Sequence, residues 1–185
     1  QKRAIECTRN QPRFAYMAPT RVRAKDIAWQ YLKEYSKDIP GRRIIESELA
    51  IEYPNGARVT LYGADNDRGM GLYLDGIVYD ECDEIPPYVH TDIISAALAD
   101  RQGWAVWMGI LRGRHNLWKK YESAKQDPTY LAMLLRASES GILPDEELTL
   151  LKNSMGESAY LLQMECNVNM SLANAIYGPQ MNEVR

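Results

Sequence analysis

Short apolar segments recur along this chain with helix-period stretches between them, and that alternation restricts the fold more than any other feature. Residues 14–18 (Phe-Ala-Tyr-Met-Ala), 72–79 and 104–108 (Trp-Ala-Val-Trp-Met) are too short for buried helices and are bounded by Pro, Gly or acidic residues, so they predict strands. After the first, residues 21–35 carry Val22, Ala24, Ile27, Ala28, Tyr31, Leu32 and Tyr35 at helical spacing. Helices are also expected over residues 89–99 and 115–125, a strand over 130–135, and two closing helices over 145–153 and 157–166. Ser154 with Glu157 has the spacing of a capping box for the last of these. Residues 1–8 read as the tail of a helix. Strands buried as continuous runs and joined by helices belong to the α/β class, with a mainly parallel sheet.

The period changes once. Residues 48–62 alternate apolar and polar around Pro54-Asn55-Gly56. Asn-Gly between two alternating runs predicts a β-hairpin, with Leu49 and Ile51 facing Val59 and Leu61. A glycine-rich loop over residues 63–71 follows it.

The totals exclude several classes. An apolar fraction of 45% in 185 residues is enough for a core. No eighteen-residue apolar run appears, so the sequence offers no membrane span. Cys7, Cys82 and Cys166 are far apart and form no CxxC pair, which argues against a disulfide framework or zinc site and fits a reducing compartment. Charge is segregated: residues 1–43 carry net +7, residues 44–101 net −9 and the remainder net −1. A basic segment ahead of an acidic one can separate a nucleic-acid-facing surface from a metal-binding one, although blocks of charge are also found on ordinary solvated faces.

In open parallel sheets, ligands bind beyond the carboxyl ends of the strands. Ile77-Val78-Tyr79 is followed by Asp80-Glu81, an apolar strand delivering two carboxylates. That is the Walker-B pattern: the Asp can hold Mg²⁺, directly or through water, and the Glu can orient and deprotonate an attacking water. The same pattern also describes a strand leaving a core. Asp83 and Glu84 lie close by, while Asp75 precedes the strand and is expected to be structural. Gly109 to Arg114 follows the 104–108 segment, a glycine turn whose arginines suit either a phosphate sensor or a plain strand-to-helix turn. His90 and His115 have no metal-ligand spacing and are expected at the surface or in caps, and the four tryptophans fit core packing.

Five segments taken in order resemble the ATPase domain of phage terminase large subunits: FAYMAPTRVRAKDIAWQYLKEY, the hairpin with YPNGARVTLYGADN, LYLDGIVYDECDEIPP, ALADRQGWAVWMG, and ILPDEEL with AYLLQMECNV. The resemblance spans nearly the whole chain. It implies one α/β domain: a three-layer, P-loop-NTPase-like, mainly parallel sheet with a β-hairpin insertion. It implies an ATP- and Mg²⁺-dependent hydrolase in a bacterial host's cytoplasm, phage or prophage encoded. Such motors form a ring at the portal protein of a prohead, work with a small terminase subunit, and drive double-stranded DNA into the shell. By this similarity Asp80 is the Mg²⁺-linked aspartate, Glu81 the catalytic base, and Gly109 and Ile110 lie in the coupling motif.

Three departures qualify those expectations. No GxxxxGK[ST] phosphate loop occurs in the 185 residues, and the resemblance puts it shortly before Gln1, so these residues alone are expected to hydrolyse no ATP. The coupling glycine is followed by Ile110 where the family offers a hydroxyl. The Asn66–Gly71 loop differs from the family's Leu-Arg-Gly order, leaving Arg68 and Arg101 as two candidates for a phosphate-contacting or trans-acting arginine. A nuclease domain is expected to lie outside these residues. Two rival readings are a metal-dependent nuclease built on Asp75, Asp80, Asp83 and Glu84, and a non-catalytic assembly module of the same fold.

Overall fold

The computed structural model describes residues 1–65 and 73–170. They form two compact units that meet in sequence between Met108 and Gly109. The first begins with a short helix, α1 (Lys2–Ile5), followed by β1 (Arg13–Ala18). Next come α2 (Arg21–Ala24), a π-helical turn (Lys25–Trp29) and α3 (Gln30–Glu34), continuous with one another. Strands β2 (Arg43–Ile45), β3 (Ala50–Glu52), β4 (Arg58–Gly63), β5 (Gly76–Tyr79) and β6 (Trp104–Trp107) complete the sheet, with α4 (Ser95–Ala99) ahead of the last.

The sheet has six strands in the order β2-β3-β4-β1-β5-β6. The four from β4 to β6 run parallel, and β2, β3 and β4 form an antiparallel meander at one side. This is the α/β architecture with a mainly parallel sheet and a hairpin that the sequence predicts. The hairpin register is also as expected: Ile51 opposes Val59, and the Leu61 N–H donates to the Leu49 carbonyl at 3.0 Å. Gly56 takes φ 79 in the turn, and Asn55 Nδ2 donates to the carbonyls of Ala4, Ile5 and Cys7, satisfying the end of α1. The meander's outer strand β2 has no sequence signal beyond Ile44-Ile45.

Met17, Ile51, Leu61, Ile77 and Tyr79 are almost wholly buried and form the heart of the first unit. Each such aliphatic side chain stabilises the fold by about 1.5–3 kcal/mol. One row of the sheet depends on a missing side chain. Phe14, Gly76 and Trp104 are register partners across β1, β5 and β6, and the Phe14 and Trp104 rings approach to 6.1 Å. A Cβ at residue 76 would run into the Trp104 ring.

Four local expectations change. The 21–35 helix forms, but its buried residues are Ala24 and Trp29, while Val22 is 68% and Tyr31 62% exposed. The π turn holds one extra residue and rotates the apolar face that a constant 3.6 period predicts. The 104–108 run, expected to be buried, is a sheet edge with Val106 and Met108 exposed, because among the described residues no strand pairs beyond β6. Residues 130–135 form no strand: they find no ladder partner among the described residues, and Leu131 is 91% exposed.

The fourth change lies in the second unit, which contains α5 (Asn116–Lys125), α6 (Ala137–Ser140), α7 (Asp145–Met155) and α8 (Glu157–Gln163). Ser154 does not cap α8. It lies in the last turn of α7, where its hydroxyl donates to the Leu151 carbonyl, and Gly156 at φ 79 breaks the chain between the helices. Leu148, Tyr160 and Leu162 are its buried residues on α7 and α8.

Candidate functional site

The carboxyl ends of the parallel strands bring Thr20, Asp65 and Asp80-Glu81 to one edge of the sheet. After β1, Thr20 accepts a hydrogen bond from the Arg23 N–H and so caps α2. After β4, Gly63 lies against the Thr20–Arg21 backbone too closely for any Cβ, and Asp65 accepts the Arg21 N–H at 3.0 Å. The ends of β1 and β4 are thereby tied together.

Asp80 follows β5 directly, and its N–H donates to the Met17 carbonyl on β1 at 2.8 Å. Both carboxylate oxygens have donors. Oδ1 accepts the Glu81 N–H at 3.0 Å, and Oδ2 accepts the Tyr16 hydroxyl. Burial first, then the hydrogen bond to Asp80 and the charges of Asp80 and Glu81, push the Tyr16 phenol well above the usual tyrosine range, so it remains a donor at any ordinary pH.

Glu81 is the site's strained residue. Its backbone sits at φ 51, ψ 44, the left-handed region that glycine adopts freely and glutamate does not. Such strain costs about 1–3 kcal/mol and persists only where neighbours impose it. Here the Cys82 N–H donates to the Met108 carbonyl at 3.1 Å, and the Met108 N–H donates to the Tyr79 carbonyl at 3.0 Å. The turn after β5 is therefore anchored to the end of β6. Glu84 pairs with Arg23, closing the same turn onto α2.

Beneath this turn, the Tyr79 hydroxyl and His90 Nδ1 share a hydrogen bond of 2.8 Å, and Tyr79 stacks on Trp107 with ring centroids 5.9 Å apart. His90 meets Trp107 edge-on at 5.2 Å. His90 is thus half-buried in an aromatic cluster rather than placed at the surface or in a cap. No local spacing announces it, because Tyr79, His90 and Trp107 come from three separate segments.

The remaining predicted residues are distributed as follows. Gly109 comes straight after Met108 with φ 153, a backbone value that side-chain-bearing residues avoid, and Ile110 is 41% exposed. Arg68 lies outside the described residues. Arg101 lies at the amino-terminal end of β5, away from Asp80: its guanidinium is 3.8 Å from Asp75, donates to the Asn10 carbonyl at 2.9 Å, and covers the Tyr73 ring. Asp75 is buried, as a structural residue should be, and takes Arg9 at 2.8 Å and the Arg13 N–H at 2.8 Å.

The carboxylates named for a two-metal nuclease therefore do not gather: Asp75 is at one end of β5 and Asp80 at the other. Among the described residues no three His, Cys, Asp or Glu side chains converge on a metal position. A lone, oriented carboxylate is the protein's usual share of a Mg²⁺ site, since that ion keeps waters and takes its other oxygens from substrate phosphates. Asp80 fits that role. Tyr16 is the residue that sequence reasoning missed. No local signal marks it, because its place on the Asp80 face comes from the pairing of β1 with β5: Tyr16 is the register partner of Val78, and Asp80 lies two residues further on.

No protein-family model matches the sequence, and no curated protein is detectably similar to it. Solved structures are. The Thermus phage P74-26 large terminase ATPase domain superposes with a TM-score of 0.69 at 16% identity, covering 86% of this chain and 78% of that one. The large terminase of the thermophilic bacteriophage D6E in complex with ADP gives 0.62 at 16% identity, covering 83% and 40%. The HK97 bacteriophage large terminase gives 0.58 at 15% identity, covering 83% and 34%. The chain thus spans well under half the length of the latter two proteins. Across the P74-26 domain it spans most of the length, and the chain has the fold of the phage large-terminase ATPase domains.

Proposed function

We propose that these residues are the catalytic-carboxylate part of the ATPase of a DNA-packaging motor. The observation that carries this reading is the Asp80-Glu81 pair at the carboxyl end of β5, with Asp80 fixed by two donors and Glu81 held in a left-handed backbone. Asp80 would hold Mg²⁺, which supplies charge neutralisation on the β- and γ-phosphates when bound. Glu81 orients the attacking water and accepts its proton, and the anchored turn keeps that carboxylate from drifting with the loop. The 185 residues contain no GxxxxGK[ST] run, so on this reading they do not themselves supply that backbone cradle for phosphate.

The fold shared with large-terminase ATPase domains extends the reading. The motor would translocate double-stranded DNA into a prohead, as a ring engaged with a portal protein and a small terminase subunit, in the cytoplasm of an infected bacterium. Gly109 and Ile110 would carry the coupling segment. The Cys82–Met108 hydrogen bond gives Glu81 a backbone route to the residue before it. Of the two arginine candidates, Arg101 is engaged with Asp75 at the end of β5 away from Asp80.

Phosphate release by the full polypeptide containing these residues tests the reading. Glu81→Gln should lower Mg²⁺-dependent turnover by about 10²-fold or more while nucleotide still binds. Turnover that survives Glu81→Gln would remove the base assignment. The 185 residues purified alone should show none.

A further inference from the structure

We infer that Tyr16 is a positioning residue for Asp80, fixing the carboxylate that the proposed ATPase would present to its metal ion. The inference rests on the reading of Asp80 as the metal-linked carboxylate. Its basis is the path between two strands. Tyr16 on β1 is the register partner of Val78 on β5, so the two side chains share a face of the sheet. Asp80 lies two residues beyond Val78 and returns to that face. A strand side chain leans along its strand, and a tyrosine is long enough to carry its hydroxyl that distance. The hydroxyl donates to Asp80 Oδ2.

Packing alone does not require a hydroxyl here. Phe14, two residues earlier on the same face of β1, is a buried hydrocarbon ring in the core. Tyr16 has the same ring and spends its one polar atom on the carboxylate. The second oxygen, Oδ1, takes the Glu81 N–H at 3.0 Å. A carboxylate held at both oxygens has one orientation, and its remaining lone pairs face a fixed direction. The Glu81 N–H is a backbone donor and survives any substitution there but proline. The Tyr16 hydroxyl is the removable half of the clamp.

Partners of this kind are worth about 10–100-fold in metal affinity when deleted, because the ligand must then be oriented at the moment of binding. The test is a Mn²⁺ titration by electron paramagnetic resonance on the full polypeptide, saturated with ATPγS, alongside nucleotide binding measured without metal. Tyr16→Phe should weaken Mn²⁺ binding about 10-fold or more and leave metal-free nucleotide binding unchanged.

Three outcomes count against the inference, and they are distinguishable. If Asp80→Asn abolishes the Mn²⁺ site and Tyr16→Phe leaves it intact, Tyr16 has no positioning role and the metal assignment stands. If Tyr16→Phe weakens Mn²⁺ and metal-free nucleotide alike, its role is general packing. If Asp80→Asn leaves Mn²⁺ binding unchanged, the metal assignment fails and the Tyr16 role fails with it.

Discussion

At the scale of single residues, the site trades stability for geometry. Glu81 occupies a left-handed backbone with a side chain that disfavours it. Asparagine tolerates that region better. Glu81→Asn should therefore raise the stability of the chain by about 0.5–1 kcal/mol while removing the proposed base, seen as a higher midpoint in chemical unfolding. A lower midpoint would mean that the glutamate side chain makes a stabilising contact larger than the strain. The Asp80-Glu81 pair was legible in the sequence because an apolar strand followed at once by two carboxylates is a local pattern. Tyr16 and His90 were not, because each acquires its role from a residue more than ten positions away. A tyrosine inside a buried run looks the same whether its hydroxyl meets a carboxylate or water.

At the scale of elements, what the sequence revealed follows the range of the interaction that decides each one. The hairpin was legible to its register because Asn55-Gly56 and the alternation on either side set it locally. Whether a strand is central or at an edge depends on which other strands arrive, so Trp104–Trp107 carries a core-like sequence at the sheet's edge. Residues 130–135 carry a strand-like composition without a ladder partner among the described residues, and composition alone cannot supply one. The 21–34 helix kept its length but not its buried face, since one π turn shifts the phase of everything after it. The Phe14–Gly76–Trp104 row shows the converse, a glycine whose purpose is the ring lying across it. Gly76→Ala should destabilise the fold by about 1–3 kcal/mol and change the tryptophan fluorescence, because Trp104 has to leave its place over β5. An unchanged unfolding midpoint would show that the ring shifts freely.

At the scale of the whole molecule, four parallel strands create one edge where the chain turns after each strand, and the acidic middle of the sequence supplies the carboxylates there. Residues 44–101, net −9, contain β4, β5 and the Asp65 and Asp80-Glu81 turns, while the basic first 43 residues supply Arg23 to pair with Glu84 and Arg9 to pair with Asp75. Part of the charge segregation seen in the sequence is thus spent inside the fold rather than on an outside partner. A fold held in common with large-terminase ATPase domains at 16% identity means that the architecture tolerates replacement of most side chains. The proposed function accordingly rests on a few atoms, with nucleotide and metal meeting the chain at the carboxyl end of β5. The most direct measurement is the crystal structure of the full polypeptide with Mn²⁺ and ATPγS, using the anomalous signal of the metal. The account predicts a single peak beside the triphosphate, either about 2.0–2.3 Å from an Asp80 oxygen or one bridging water away, with the Glu81 carboxylate facing the γ-phosphate. A metal–nucleotide complex bound elsewhere, with Asp80 still held by Tyr16 and touching neither the ion nor its waters, would contradict it.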